Sequence, residues 1–246
     1  MTTPSSESPA ATTPPKPVAR WEDFVDIFYA PAAVFQRREN QSVWPPLLIV
    51  TAIGTLVSFA TFNPLQPLYD ADIQRGIAKQ MQANPQMTQD MANTAMHAGE
   101  FIVRSLGLFT PISILLVGFG LWVVGKIVGS RQTFHGAMVV SSYTLFFLTL
   151  EGLANGAQAL VMDVSKVPSV FALQVGPARF FDPVATSPLL FTVLLRLNVF
   201  VIWRTVLLAI GVRVTGKVSW PSAAVVAVLI WVLATALQFR NVIAMH

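Results

Sequence analysis

Apolar residues fall into five long blocks along this chain, separated by shorter polar connections, and these blocks decide its class. They run from Trp44 to Phe62, Phe101 to Val124, Phe134 to about Ala157, Leu189 to Val212 and Trp220 to Phe239. Each is close to the ~20 residues a helix needs to cross a ~30 Å hydrocarbon core. The pattern predicts an all-α, polytopic transmembrane bundle of five helices with short interfacial helices, its membrane domain covering residues 44–240.

The polar segments divide differently. Residues 1–19 are rich in Pro, Ser, Thr and Ala, with no apolar core and no basic start, and read as a disordered N-terminal tail rather than a signal peptide. Residues 20–43 mix Trp21, Phe24, Val25, Ile27, Phe28 and Tyr29 with Glu22, Asp23 and Asp26, too short and too acidic to cross a bilayer. Pro31 restarts a short helix that ends on Arg37 and Arg38, and Pro45 and Pro46 stand in the first turn of the first span, where no intrahelical N–H is lost. This layout predicts an interfacial segment with Trp21, Phe24 and Phe28 among the headgroups and Arg37 and Arg38 facing anionic lipid or a partner. Packing of the same residues against the span ends is the alternative.

The connection 63–100 is too long for a structureless loop. Ile73, Ile77 and Met81 recur at helical spacing, then Asn84-Pro85 marks a new start and Met87, Met91 and Ala95 resume the period, so two short helices outside the membrane are expected. The connection from Met162 to Pro188, with Val170, Phe171, Phe180 and Phe181, is expected to cap the bundle on the same side.

Composition agrees with this class. The chain of 246 residues is 54% hydrophobic and 11% charged, with a net charge of +4 and no Lys/Arg-rich tract, which argues against nucleic-acid binding. The basic residues read instead as the positive-inside bias. Arg37, Arg38, Lys126, Arg131, Arg213 and Lys217 crowd into little chain on one side, whereas an equal number is spread over the two long connections and the C-terminus. That density puts the N-terminus in the cytoplasm and His246 outside. The absence of cysteine removes disulfides, thiolate metal sites and a cysteine nucleophile.

Three ionisable residues, Glu151, Arg196 and Arg204, fall inside expected spans, where a charge is costly unless it faces protein or water. Counting about 1.5 Å per residue puts Glu151 and Arg196 at matching depth and predicts an intramembrane polar pair, with Asn198 or Asn155 satisfying what remains. Arg204 lies deeper and reads as an inner-leaflet anchor that snorkels to headgroups. Gly125 with Gly129, Gly152 with Gly156, and Ala223 with Ala227 permit close helix approach; a homo-oligomer face is one use, packing within the bundle the commoner one. Pro111 implies a kink or a broken first turn.

No catalytic constellation is visible. His97, His135 and His246 are isolated, Ser141, Ser142, Tyr143 and Thr144 form a polar girdle without a paired base, and no Gly-rich phosphate loop occurs. No metal site and no cofactor are expected.

Several segments resemble the Ypt-interacting protein (Yip) family of five-span membrane proteins, specifically its bacterial members. They are Ala30-Pro31-Ala32-Ala33-Val34-Phe35, Gly125-Lys126-Ile127-Val128-Gly129 followed by Thr133-Phe134, and Asn198 to Trp203 leading through Leu208 to Arg213 and Ser219. The likeness covers about residues 20–240. It departs at Asn198, where an aspartate is expected, and at Glu151, commonly a neutral or proline position. Eukaryotic members take part in vesicle trafficking with Rab-type GTPases through a cytoplasmic N-terminal region. The resemblance therefore implies a membrane adaptor or organiser of the bacterial cytoplasmic (inner) membrane, not an enzyme, whose partners are membrane lipids and a membrane or cytoplasmic protein. A small transporter or channel using Glu151, Arg196 and Arg204 is the alternative.

Overall fold

The computed structural model describes residues 19–183 and 185–243; the expected tail over residues 1–18, Val184 and His246 lie outside the described residues. Among the described residues there is no strand, and five helices are long and apolar enough to cross a membrane. The helices are α1 (Asp23–Asp26), α2 (Pro31–Arg38), α3 (Trp44–Ala83), α4 (Gln89–Arg104), α5 (Thr110–Ile127), α6 (Phe134–Val161), α7 (Pro188–Arg196), α8 (Val199–Gly216) and α9 (Trp220–Ile243).

α6 is the central element. Every residue from Gly136 to Leu145 is buried, the mark of a helix surrounded by others rather than one lying at a surface. α3, α5 and α8 pack around it, and α9 closes the bundle against α5, α7 and α8. Small residues set the closest approaches. A Cβ on Gly156 would stand 2.2 Å from Thr61 Cγ2 on α3, one on Gly211 2.3 Å from Val140 Cγ1, and Ala223 and Ala227 are buried in the main core. Gly152 faces Val57 in the same α3–α6 contact. The Gly152/Gly156 and Ala223/Ala227 spacings thus serve packing within the chain, whereas a Cβ on Gly129 would meet nothing within 4 Å.

Local chemistry explains where elements begin. Thr133 caps α6 by accepting the Gly136 N–H at 3.0 Å, and Thr88 caps α4 by accepting that of Met91 at 3.3 Å. Prolines occupy the first turns of α2, α3, α5 and α7. Pro111 accordingly breaks rather than kinks its span: α4 ends at Arg104, the 3-10 turn Leu106–Phe109 intervenes, and α5 starts afresh.

Two differences from the sequence reading matter. α3 does not stop near Phe62 but continues through Pro64 and Pro67 to Ala83, 40 residues in all. Leu65 and Leu68 hold this extension in a cluster with Ala159 and Leu173, while Asp72 Oδ2 accepts from Ser169 Oγ at 2.9 Å and Arg75 donates to the Pro168 carbonyl at 2.9 Å. Burial and these ties hold the helix across two residues that usually end one. The fourth span, conversely, is split into α7 and α8 at Leu197-Asn198, where Asn198 accepts the Phe200 N–H at 2.8 Å and so begins a new helix.

The two short connections on the face carrying α1 and α2 are knitted together. Gly129 turns the chain after α5 with φ +73°, a left-handed conformation that glycine adopts without strain. The Arg131 N–H donates to the Gly216 carbonyl at 2.9 Å, and Gln132 Nε2 donates to Thr215 Oγ1 at 2.7 Å. Gly216 approaches so closely that a Cβ there would lie 2.2 Å from Ser130 Oγ.

Candidate functional site

Asp23 is completely buried, yet it lies in the segment expected to face headgroups. Its Oδ1 accepts from Arg37 Nε at 2.7 Å, and its Oδ2 accepts from Arg38 Nε at 2.6 Å and from the Tyr143 hydroxyl at 2.9 Å. Arg37 also pairs with Asp26, and Arg38 Nη1 reaches Gln41 Oε1 at 2.5 Å. The carboxylate is therefore surrounded by charged donors, the arrangement that lets a buried charge persist. Tyr143 comes from the middle of α6, so one residue of the polar girdle fixes the N-terminal segment to the bundle.

Apolar contacts extend this latch. Phe24 packs against Tyr143 and Phe146, with ring centroids 5.3 and 5.0 Å away, and Phe28 against Phe147 at 5.0 Å. Ile27, Val34 and Phe35 are fully buried. Of the five residues expected at a lipid or partner interface, Phe24 and Arg38 are thus inside the chain, and Arg37 is engaged by two carboxylates rather than by lipid. Trp21 remains 66% exposed and Phe28 44%, beside Val25 at 50% and Tyr29 at 71%. The Tyr29 hydroxyl donates to Asp26 at 2.7 Å and, with Arg37, holds the Asp26 carboxyl below its ordinary value.

A second polar cluster sits further along α6. Glu151 does not form the expected pair with Arg196: among the described residues no ion pair joins them. Instead Asn198 Nδ2 donates to Glu151 Oε1 at 2.5 Å. The break between α7 and α8 is the physical reason. It aims the Asn198 amide at α6, while Arg196 lies over the Trp231 ring of α9 at 5.8 Å and leaves its Nε without a hydrogen-bond partner. Arg204, the expected inner-leaflet anchor, lies half-buried on α8, eight positions beyond Arg196. Asn155, the other expected partner, has a buried Oδ1 without a partner.

The remaining candidates are dispersed. His135 Nε2 lies 2.6 Å from the Gln41 carbonyl, and Ser141 and Ser142 donate to the Ile114 and Met138 carbonyls, each at 2.8 Å. His97 stands beside Glu100 at 3.8 Å, and no group of metal-ligating side chains gathers among the described residues. Asp23 and Tyr143 are the residues that sequence reasoning missed. Their signal was an acidic pair at i and i+3 followed by two adjacent arginines, a charge-balanced set inside an apolar segment.

Five apolar helices, one of them buried at the centre of the other four, with a latched amphipathic N-terminal segment and two interlocked basic turns, define a polytopic membrane protein. The Yip1 domain model matches residues 25–239, and the chain belongs to that family. It is 29% identical over 205 residues to membrane protein YknW of Bacillus subtilis (strain 168), covering 80% of this chain and 81% of that protein. No solved structure matches it. The structure gives the resembling segments physical roles: Ala30 to Phe35 forms the start of the latched helix, Gly125 to Phe134 and Arg213 to Ser219 contain the interlocked turns, and Asn198 begins α8 where the fourth span breaks. Nothing in the geometry or the comparisons supports a small transporter or channel.

Proposed function

We propose that this Yip1-domain protein is a membrane adaptor or organiser, without enzymatic activity, that offers the exposed edge of residues 21–29 to a protein or lipid partner. The observation that carries the reading is the combination of a clamped base and a free aromatic edge: Asp23 is buried among Arg37, Arg38 and Tyr143, while Trp21, Val25 and Tyr29 are exposed. Fixing the segment beforehand lowers the ordering entropy lost on binding. The crowding of basic residues on this face favours a cytoplasmic N-terminus, and the likeness to a bacterial membrane protein favours the bacterial inner membrane.

A photo-crosslinker incorporated at Val25 in native membranes tests the reading, with the buried Val34 as control. A discrete protein adduct from Val25 alone supports an adaptor, and lipid adducts alone turn it into a lipid-organising protein. Yields equal to those from Val34 overturn both. Because the chain lacks cysteine, a single cysteine at Asn40 reports the orientation: labelling by an impermeant reagent from outside the cell would reverse it.

A further inference from the structure

On the side of the bundle away from the latch, α3, the turn Leu106–Phe109, α5, α6 and the turn Val170–Leu173 surround a cavity of about 280 Å3. Its polar lining comprises the hydroxyls of Ser58, Thr61, Tyr69, Thr110 and Thr149 together with Glu151, Asn155 and Gln174, and it contains one acidic residue and no basic one. Two of these groups lack partners: Asn155 Oδ1 and Gln174 Oε1 are buried with no hydrogen bond from the protein. Unpaired buried acceptors are costly, and a cavity that concentrates them calls for something to donate.

Glu151 sets the sign of that donor. Asn198 accepts the Phe200 N–H with its Oδ1, so its Nδ2 must point at Glu151, which meets it as an acceptor. Neither Arg196 nor Arg204 lines the cavity. The space is kept open by small residues: a Cβ on Gly54 would come within 3.2 Å of Thr149 Oγ1 and 3.4 Å of Thr110 Oγ1. A bare calcium-like ion needs six to eight oxygens at about 2.3 to 2.6 Å, far tighter than a cavity this large provides. A quaternary ammonium carries no N–H and would leave both amide oxygens unpaired. A primary ammonium has three donors, one for each of the carboxylate and the two amide oxygens.

We propose that this cavity binds a primary ammonium group, with Glu151 as its counter-charge and Asn155 and Gln174 as acceptors. The ammonium can belong to a phosphatidylethanolamine headgroup or to a small free amine. The site is independent of the adaptor reading, because it lies away from residues 21–29 and shares none of the latch residues.

The test uses the full chain in phosphatidylglycerol nanodiscs supplemented with phosphatidylethanolamine or phosphatidylcholine, with lipid retained after gentle release counted by native mass spectrometry. Ethanolamine serves as the soluble probe in a thermal-shift assay on discs without phosphatidylethanolamine. Selective retention of phosphatidylethanolamine, falling by about tenfold or more in Glu151→Gln and in Asn155→Leu, assigns the site to a lipid headgroup. Stabilisation by ethanolamine that is lost in the same variants assigns it to a free amine. Gln174→Met, which keeps Glu151 in place, gives the same reading should Glu151→Gln fail to fold. Equal retention of the two lipids with no ethanolamine shift, or binding unchanged in the variants, overturns the proposal and leaves the cavity to water.

Discussion

Tyr143 and Glu151 stand eight positions apart on α6, about 12 Å along its axis, and each anchors a buried polar cluster of a different kind. Around Asp23 every charge is answered: two guanidinium groups and a phenol converge on one carboxylate. Around Glu151 the pairing is incomplete, with Arg196 Nε, Asn155 Oδ1 and Gln174 Oε1 lacking partners beside an open cavity. The first cluster has the character of a fastening. The second keeps unused hydrogen-bonding capacity, which a protein maintains at a cost unless something fills it.

Variants can break or sharpen this contrast. Asp23→Ala should have the largest effect, a loss of about 3–5 kcal/mol, because it leaves Arg38 buried without its counter-charge and Arg37 with Asp26 alone. Thermal unfolding in detergent measures it, and a loss no larger than that of Glu151→Gln would erase the distinction. Tyr143→Phe removes one donor to a buried carboxylate and should cost about 1.5–3 kcal/mol, read in the same assay together with earlier proteolysis within residues 20–43. Arg196→Met should change stability by less than about 1 kcal/mol, or raise it, since it replaces an under-paired guanidinium with an apolar chain of similar length. A large destabilisation there would mean that Arg196 is as firmly paired as Arg37.

The smallest effect concerns acid. The Tyr29 hydroxyl and Arg37 depress the Asp26 carboxyl, so its contribution is fully present above its ordinary value of 3.8 and is lost as pH falls through the lower folded value. Trp21 fluorescence should therefore hold steady from about pH 8 to 5 and change only in stronger acid. Asp26→Asn should abolish that step; a transition near neutrality would point to another group.

The five spans were legible because apolar length is a local property that the bilayer reads directly. What the sequence hid was non-local. Asn198 looks like one polar residue within a long apolar run, and its role as the start of α8 depends on the turn that Leu197 adopts just before it. Pro64 and Pro67 suggest an end to α3, but contacts with Leu173 and Ser169, about a hundred residues further on, carry the helix past them. Asn84-Pro85 resembles a helix start, whereas Thr88 supplies the cap. Arg37 and Arg38 read as lipid-facing because their partner, Asp23, is separated from them by a turn whose geometry no periodicity reveals. The Glu151–Arg196 pair failed for a related reason: matching depth does not establish matching direction once a helix is broken between the two faces.

Forty residues of α3 amount to about 60 Å of helix, roughly twice the hydrocarbon thickness it must cross. One continuous helix is thus long enough to reach about 30 Å beyond a hydrocarbon layer that it crosses. Such a rod works as a lever: a tilt of about 10° within the membrane would displace its tip by roughly 5 Å over the ~30 Å beyond the hydrocarbon. The ties from Asp72 and Arg75 to residues 168–170 sit partway along that arm, where they would act as a fulcrum.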